Sequence, residues 1–258
     1  MIEEKFALAA SDARDPIIVA LYEAEAEYRE LGMHSHARGQ LSGLRRGLLT
    51  MGTDNGSWVV PADHAVWLPS HQPHYGWTHG AVEAWSCYVS EAACLSLPKR
   101  PCTIRTSGLL REAVLRASDW QGSTLDEQQW HVAMVILDEL RAAPVKPFGL
   151  PMPRDPRLAL IARALLDKPG DRRGVDEWAQ WAGISERTLS RRFVSETGFT
   201  YTAWRQRATL MRALELLAEG QAVTIVALDL GYDSLSAFIA LFKRTLGVTP
   251  SAYFQHPL

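Results

Sequence analysis

One pattern occurs twice between Val175 and Phe254, and it constrains the chain more than any other feature. The first copy places Ala179 four residues before Gly183, then Ser185, Leu189 and Phe193. The second places Ala227 four residues before Gly231, then Ser234, Phe238 and Phe242. The two glycines lie 48 residues apart, and the copies leave by similar exits, Glu196-Thr197-Gly198-Phe199-Thr200 and Thr245-Leu246-Gly247-Val248-Thr249-Pro250. Glycine supplies positive φ after a helix without a steric penalty. A serine just beyond it suits the N-cap of the next helix. The alanines let two helices cross closely, and the large apolar residues at i, i+4 make a core face. The expectation is two helix-turn-helix units in tandem. The alternative is a pair of helical hairpins with no role on DNA, and a repeat that extends to both turns and both exits argues against it.

A chain-wide net charge of −2 looks wrong for a polyanion binder. Residues 1–149 carry 13 Lys and Arg against 18 Asp and Glu, a net −5, whereas residues 150–258 carry 14 against 11, a net +3. The electropositive half holds the repeat, and its modest excess points to local phosphate contacts. No segment is apolar and long enough for a membrane helix. The start, Met1-Ile2-Glu3-Glu4-Lys5, lacks the regions of a signal peptide, so the expected compartment is the cytoplasm. Cys87, Cys94 and Cys102 are too few and too irregular for a disulfide frame or a zinc knuckle, and they read as buried thiols.

Residues 1–15 are polar and read as a frayed start. From Ile17 to about Thr103 the text is β-like, with candidate strands at 17–22, 40–51, 58–60, 65–68, 74–77 and 84–89. Turns are expected at 52–56, at Pro61-Ala62-Asp63, at Pro69-Ser70 and at His79-Gly80. Many short strands at this spacing suggest a barrel or sandwich. From Ser107 the period becomes helical. Leu109, Leu110, Ala113, Val114 and Ala117 mark one helix. Trp130, Ala133, Met134, Leu137 and Leu140 mark a longer one over about 125–142. This stripe can pack on its own domain, pair with a second copy of the chain, or do both. Residues 143–153 contain four prolines and read as a semi-rigid linker. Asp155 then caps a helix with Pro156 first and Leu158, Ile161, Ala162, Leu165 and Leu166 buried. Tyr201 to Ala218 reads as one helix, ended by Gly220, that spaces the two units. The domains expected are 1–106 (sensor), 107–142 (helical, dimerising), 143–154 (linker) and 155–258 (DNA-binding).

In a helix-turn-helix the second helix enters the major groove and its first side chains reach the base edges. In the first unit that helix carries Arg187, Thr188, Ser190, Arg191 and Arg192. Arg187 and Arg191, one turn apart, suit bidentate contacts to guanine, each worth about 1–3 kcal/mol of discrimination, with Ser190 between them. Thr188 suits a phosphate, and Arg192 suits a phosphate or Glu196. The second unit shows Leu235, Ser236, Ile239 and Ala240, which form no bidentate hydrogen bonds, followed by Lys243 and Arg244, which suit phosphates. Unit one is expected to read sequence. Unit two, with Ser234, Ser236, Lys243 and Arg244, is expected to hold the backbone.

These residues carry a resemblance. Residues 155–256 are similar to the DNA-binding domain of AraC/XylS-type bacterial transcription regulators, in which one long helix joins two helix-turn-helix units. The motif Leu-x-Arg-x-Phe is met by Leu189-Ser190-Arg191-Arg192-Phe193. The second-unit signature is met by Gly231-Tyr232-Asp233-Ser234, Phe238, Phe242-Lys243 and Gly247-Val248-Thr249-Pro250. Ala240 stands where relatives often carry Arg, in keeping with weak base readout there. The N-terminal half resembles the cupin-like sensor domain of many such regulators. His34-Ser35-His36 with Gln40 and Gly47 looks like the first cupin motif, with Gln in place of the usual Glu, and residues 67–74 look like the second. The resemblance implies that His34, His36, Gln40 and His74 meet inside a barrel. Three imidazoles there suit Zn, Ni, Cu or Fe(II), and the rival is a metal-free pocket using them as hydrogen-bond groups. His34 and His36, as alternate residues of one strand, point the same way. His64, His71 and His79 read as loop residues. Trp58, Trp67, Trp77 and Trp85 can form inward core aromatics, and Trp58, Trp67 and Trp85 are candidates to line an apolar ligand pocket.

The fold class expected is therefore α+β, a cupin-like β-barrel with accessory helices followed by an all-α domain with two helix-turn-helix units. The function expected is a sequence-specific transcription regulator sensing a small molecule or a metal ion. Its expected partners are promoter DNA, the effector, a second copy of itself and RNA polymerase. It has no expected catalytic residue. The alternatives are a metal-dependent cupin oxygenase or isomerase with a helical appendage, and a protein-binding adaptor.

Overall fold

The computed structural model describes residues 16–25, 30–60, 64–146 and 149–253, with Ala7, Ala9 and Ser11 besides. Almost all of the polar start, the turn expected at Pro61-Ala62-Asp63, two linker residues, Pro147 and Phe148, and Phe254 lie outside these residues. The chain divides into two compact units: residues 1–53 and 58–149 with Leu258, and residues 54–57 with 150–257.

The first unit is an antiparallel sheet flanked by two helices. Its strands are β1 (Ile18–Glu25), β2 (Glu30–His34), β3 (Gly39–Thr53), β4 (Gly56–Val60), β5 (His64–Leu68), β6 (His74–Val89), β7 (Cys102–Arg105) and β8 (Val145–Lys146). The spatial order is β1-β6-β3-β5-β7-β8, with β2 also on β6 and β4 also on β3. Strands β3 and β6 pair along most of their length, from Gly39↔Val89 to Gly52↔Tyr75. The turn expected at His79-Gly80 is instead a bulge inside the 16-residue β6. Its register slips opposite Arg46, where Gly47 and Gly80 hold φ of 91° and 65°, so both strands bend without ending. A bulge and a turn share the same local glycine chemistry, and only pairing across the strands separates them.

Because the sheet is covered on both sides, β3 is buried at almost every position instead of alternating. One core cluster joins Leu41, Trp67, Trp85, Cys87 and Ile104 to α1 (Gly108–Ser118) and α2 (Glu127–Ala142). Another gathers Leu44, Leu49, Met51, Trp58, Val60 and Val82. Helix α1 starts where Ser107 accepts the Leu110 N–H, and α2 starts on a capping box formed by Asp126 and Gln129. The apolar stripes are narrower than expected. Leu109 is 59% and Trp130 44% exposed, while Ile136 is fully buried. A helix buries only the arc that faces its sheet, and these two side chains lie outside it. The expected linker is not a bare spacer, since Val145 and Lys146 pair with Ile104 and Thr103 as β8. The three cysteines are buried and unbridged, and burial pushes the Cys87 thiol up to about 12 and Cys102 to about 11.

The second unit is helical. It comprises β9 (Leu150–Pro151), α3 (Pro156–Asp167), α4 (Val175–Trp181), α5 (Glu186–Thr197), α6 (Tyr201–Ala218), α7 (Val223–Asp229), α8 (Leu235–Leu246) and α9 (Pro250–Tyr253). Asp155 caps α3 through the Arg157 N–H, with Pro156 first. Leu158, Ile161, Ala162 and Leu165 are buried as expected, but Leu166 is 36% exposed at the edge of that face. Trp204 lies at the centre, fully buried, and its indole N–H donates to the Pro151 carbonyl at 2.8 Å.

The duplication extends to single hydrogen bonds. After α4 the Gly183 N–H donates to the Gln180 carbonyl at 3.1 Å and the Ile184 N–H to Ala179 at 3.0 Å. After α7 the Gly231 N–H donates to Leu228 at 2.9 Å and the Tyr232 N–H to Ala227 at 2.9 Å. Both are Schellman closures, and they require the positive φ that Gly183 (65°) and Gly231 (80°) hold. The caps that follow differ. Ser185 accepts the Thr188 N–H at 3.2 Å, whereas Ser234 occupies the N-cap of α8 with no side-chain cap bond. Its φ of −135° and ψ of 124° leave the cap to the backbone alone.

Candidate ligand centre and nucleic-acid interface

The sheet of the first unit brings His34, His36 and His74 together. One ring nitrogen from each lies within 4.8 Å of the others. The His34 and His74 ring centroids are 4.2 Å apart, and those of His36 and His74 5.1 Å. The sequence reading put His34 and His36 on one strand, but β2 ends at His34 and His36 stands in the following turn. The rings converge because the chain curls back toward β3, not through strand alternation.

Each imidazole is oriented by a backbone carbonyl. His34 Nδ1 faces the Gly32 oxygen at 2.8 Å, His36 Nδ1 the Arg38 oxygen at 2.6 Å, and His74 Nδ1 the Gln72 oxygen at 2.8 Å. A carbonyl only accepts, so the Nδ1 atoms carry the proton and Nε2 of His34 and of His74 presents a lone pair, whereas His36 Nε2 faces the Gln40 side chain. His74 is buried, and its Nε2 has no partner. Burial lowers the pKa of His36 and takes that of His74 down to about 4, which keeps both rings neutral near pH 7. Gln40 Oε1 lies 2.9 Å from His36 Nε2, while its Nε2 donates to Ser42 Oγ at 2.8 Å. Ser42 and Ser86 hydroxyls then meet at 3.0 Å.

His34, His74, Gln40, Ser42 and Ser86 form the polar end of a cavity of about 90 Å3 whose remaining wall is largely apolar, with His36 behind Gln40. Leu21, Leu31, Leu49, Met51, Trp77, Val82 and Trp85 line it, with Tyr88 near Gln40. Of the tryptophans expected there, Trp85 lines the cavity. Trp67 is committed to the core, its N–H donating to the Pro98 carbonyl, and Trp58 packs in the other core cluster. Trp77, not among the pocket candidates, lines the cavity as well. Adjacent inward positions on a bent sheet face different layers, which the alternation of one strand does not reveal. Of the histidines read as loop residues, His71 is in a loop. His64 opens β5, and His79 is a buried member of β6 bound to the Thr50 hydroxyl at 2.9 Å.

On the second unit, Arg187, Ser190 and Arg191 are exposed along the first turns of α5 and make no hydrogen bond or ion pair with any described residue. Thr188 is engaged at the cap with Ser185 at 2.8 Å. Arg192 does not project as a phosphate ligand. It binds Asp155 and reaches Glu196 at 2.9 Å, which fastens α5 to the start of α3. On α8, Ser234, Leu235, Ser236 and Ala240 are exposed, and Lys243 and Arg244 follow at its exposed end.

The helix-turn-helix domain family matches residues 178–256. The HTH-type transcriptional regulator NimR of Escherichia coli (strain K12) is 33% identical over 222 residues, which cover 86% of this chain and 81% of that one. The chain belongs to the AraC-type family of helix-turn-helix transcription regulators. RipA of Corynebacterium glutamicum, another HTH-type transcriptional regulator, is 32% identical over 122 residues, 47% of this chain and 35% of that one. Among solved structures, ToxT of Vibrio cholerae has a TM-score of 0.40 at 10% identity, over 92% of this chain and 97% of that one.

As an AraC-type regulator the protein binds DNA. Sequence reasoning missed Ser42, Ser86 and Tyr88 beside the histidine cluster of the first unit. Their signal was weak, since hydroxyls at inward strand positions read as ordinary core polars until a partner is seen across the sheet.

Proposed function

We propose that the protein is a sequence-specific, cytoplasmic transcription regulator, not an enzyme, and that its first unit is a cupin-like barrel sensing a small molecule or a metal ion. Residues 1–106 form the sensor, 107–142 a helical segment through which two copies pair, 143–154 the connection and 155–258 a domain of two helix-turn-helix units. Pairing is supported by the exposed Trp130 and Val135 on α2. A divalent transition metal fits the donor set of His34, His36 and His74. Three carbonyl-oriented imidazoles whose ligand atoms lie within 4.8 Å of one another would leave a fourth position open once His36 turns its Nε2 from Gln40 to the ion. The regulator acts at promoters together with RNA polymerase.

The observation that carries the DNA assignment is the exposed, unpaired Arg187-Ser190-Arg191 face at the start of α5, set beside a second unit that lacks such a face. In this reading the first unit reads bases, and the second, through Ser234, Ser236, Lys243 and Arg244, holds the phosphate backbone. Selection of binding sites from a random duplex pool by the full-length protein tests it. The expected result is one enriched motif that R187A and R191A blur at separate positions. A pool that enriches no motif, or the same motif with both variants, overturns it.

A further inference from the structure

We propose that the open position of the His34-His36-His74 centre takes the anionic head of a small, mostly apolar ligand, and that Gln40 leaves that place for an anion. The inference rests on the metal reading above and specifies the ligand class it implies. Imidazoles bound to a divalent metal through a lone pair add no charge and leave its 2+ charge uncompensated. Position 40, beside His36, carries a neutral amide whose Oε1 lies 2.9 Å from His36 Nε2, where a carboxylate would offset that charge. The buried, unpartnered His74 Nε2 independently marks this end of the cavity as built for a ligand.

The rest of the cavity describes the ligand's body. Among the described residues no lysine or arginine lines it, and Glu23 is the acidic side chain in the lining, so an anion there would be held by the metal. Leu31, Met51, Trp77 and Trp85 offer apolar and aromatic walls, and the Ser42-Ser86 hydroxyl pair offers one polar contact. A cavity of about 90 Å3 suits a small ligand such as a single-ring or short-chain carboxylate or phenolate. His34, exposed at the rim, leaves the centre accessible from solvent.

The test uses full-length protein stripped with a chelator and loaded with Co2+, whose visible bands report coordination. Benzoate and azide are the anionic probes, the second too small to be excluded by shape, and benzamide is the neutral match to benzoate. The expected result is Co2+ bands in the wild type, a shift with benzoate and azide, and none with benzamide. Q40E should keep the Co2+ bands while binding either anion about tenfold more weakly or worse, because its own carboxylate meets the charge. H34A, at an exposed position where folding is safe, should lose the bands and the anion response together. No Co2+ bands in folded wild-type protein overturns the metal reading and this inference with it. Bands that neither anion shifts leave the metal reading standing and overturn the anion, the charge then being met by Glu23 or by hydroxide. A benzamide shift equal to that of benzoate, or a Q40E protein that responds like wild type, overturns the part given to charge and to Gln40.

Discussion

Glu196, near the end of α5, accepts the backbone N–H of Asp155 at 2.8 Å, where α3 begins. The same carboxylate takes the Arg154 N–H at 2.7 Å and pairs with Arg192, which also binds Asp155. Of the arginines carried by α5, Arg192 is thus committed to anchoring the helix. Arg192→Ala should lower the thermal midpoint and leave the preferred DNA sequence unchanged. Asp155→Ala should cost at least about 1 kcal/mol, since it removes the α3 N-cap together with the partners of Arg192 and Arg157. Thermal melts run beside binding to the selected motif check both. A change of motif with R192A would return that residue to the DNA-reading face.

The same cluster sets an acid limit. Hydrogen bonds and charge from Arg157, with Arg192, hold the Asp155 carboxyl at about 2, and Arg173 holds Asp171 at about 2. A carboxyl with a depressed folded pKa stabilises fully above its unfolded value near 4 and loses that contribution as pH falls through about 2. Urea melts between pH 6 and pH 2 should show stability steady above about pH 4 and falling below it, with the fall shallower in D155N. An equally steep fall in D155N would place the acid sensitivity elsewhere.

The two turn glycines should differ in their tolerance of alanine. Both hold positive φ, which strains any L-residue by about 1–2 kcal/mol. A methyl on Gly183 meets nothing within 4 Å, whereas one on Gly231 would lie 2.9 Å from the Gly170 carbonyl oxygen. G183A should therefore cost only the strain, and G231A distinctly more, because backbone must move. Chemical denaturation of both variants measures the difference, and equal costs would mean that the Gly170 loop yields freely.

Charge on the two units should separate in salt titrations. Lys243→Ala should weaken binding to all duplexes alike and reduce the salt slope by about 1, as expected for one lost phosphate contact. Arg191→Ala should instead narrow the gap between the selected motif and an unrelated duplex, by about 1–3 kcal/mol. If K243A weakens only the preferred motif, the second unit reads bases too.

Much of the second unit was legible in the sequence because its determinants are local. A Schellman turn needs glycine at one place, and a cap needs a short polar side chain at another. Both copies show the turn glycine four residues after an alanine, with the cap serine two or three residues beyond it, and the bonds at Gly183 and Gly231 follow. What the sequence left unresolved there was choice among equals. Arg187, Arg191 and Arg192 share one helix and one chemistry, and only the approach of Asp155 decides that Arg192 faces inward. Ser185 and Ser234 likewise share a position, yet only the first closes a cap bond.

In the first unit the sequence by itself supplied the side chains that the fold brings together: His34, His36 and His74, with Gln40 beside His36. It also determined that the region is β-rich. Tertiary structure alone decided the rest. The bend of β3 and β6 turned an expected hairpin into one bulged strand, moved Trp77 to the cavity wall and left Trp67 in the core. The cavity then gathered Ser42, Ser86 and Tyr88 from strands paired across the sheet. The reason is physical. Turns and caps are settled by bonds within a few residues, whereas a pocket is settled by pairing register between strands far apart in sequence, and a one-residue slip would reverse every inward side chain.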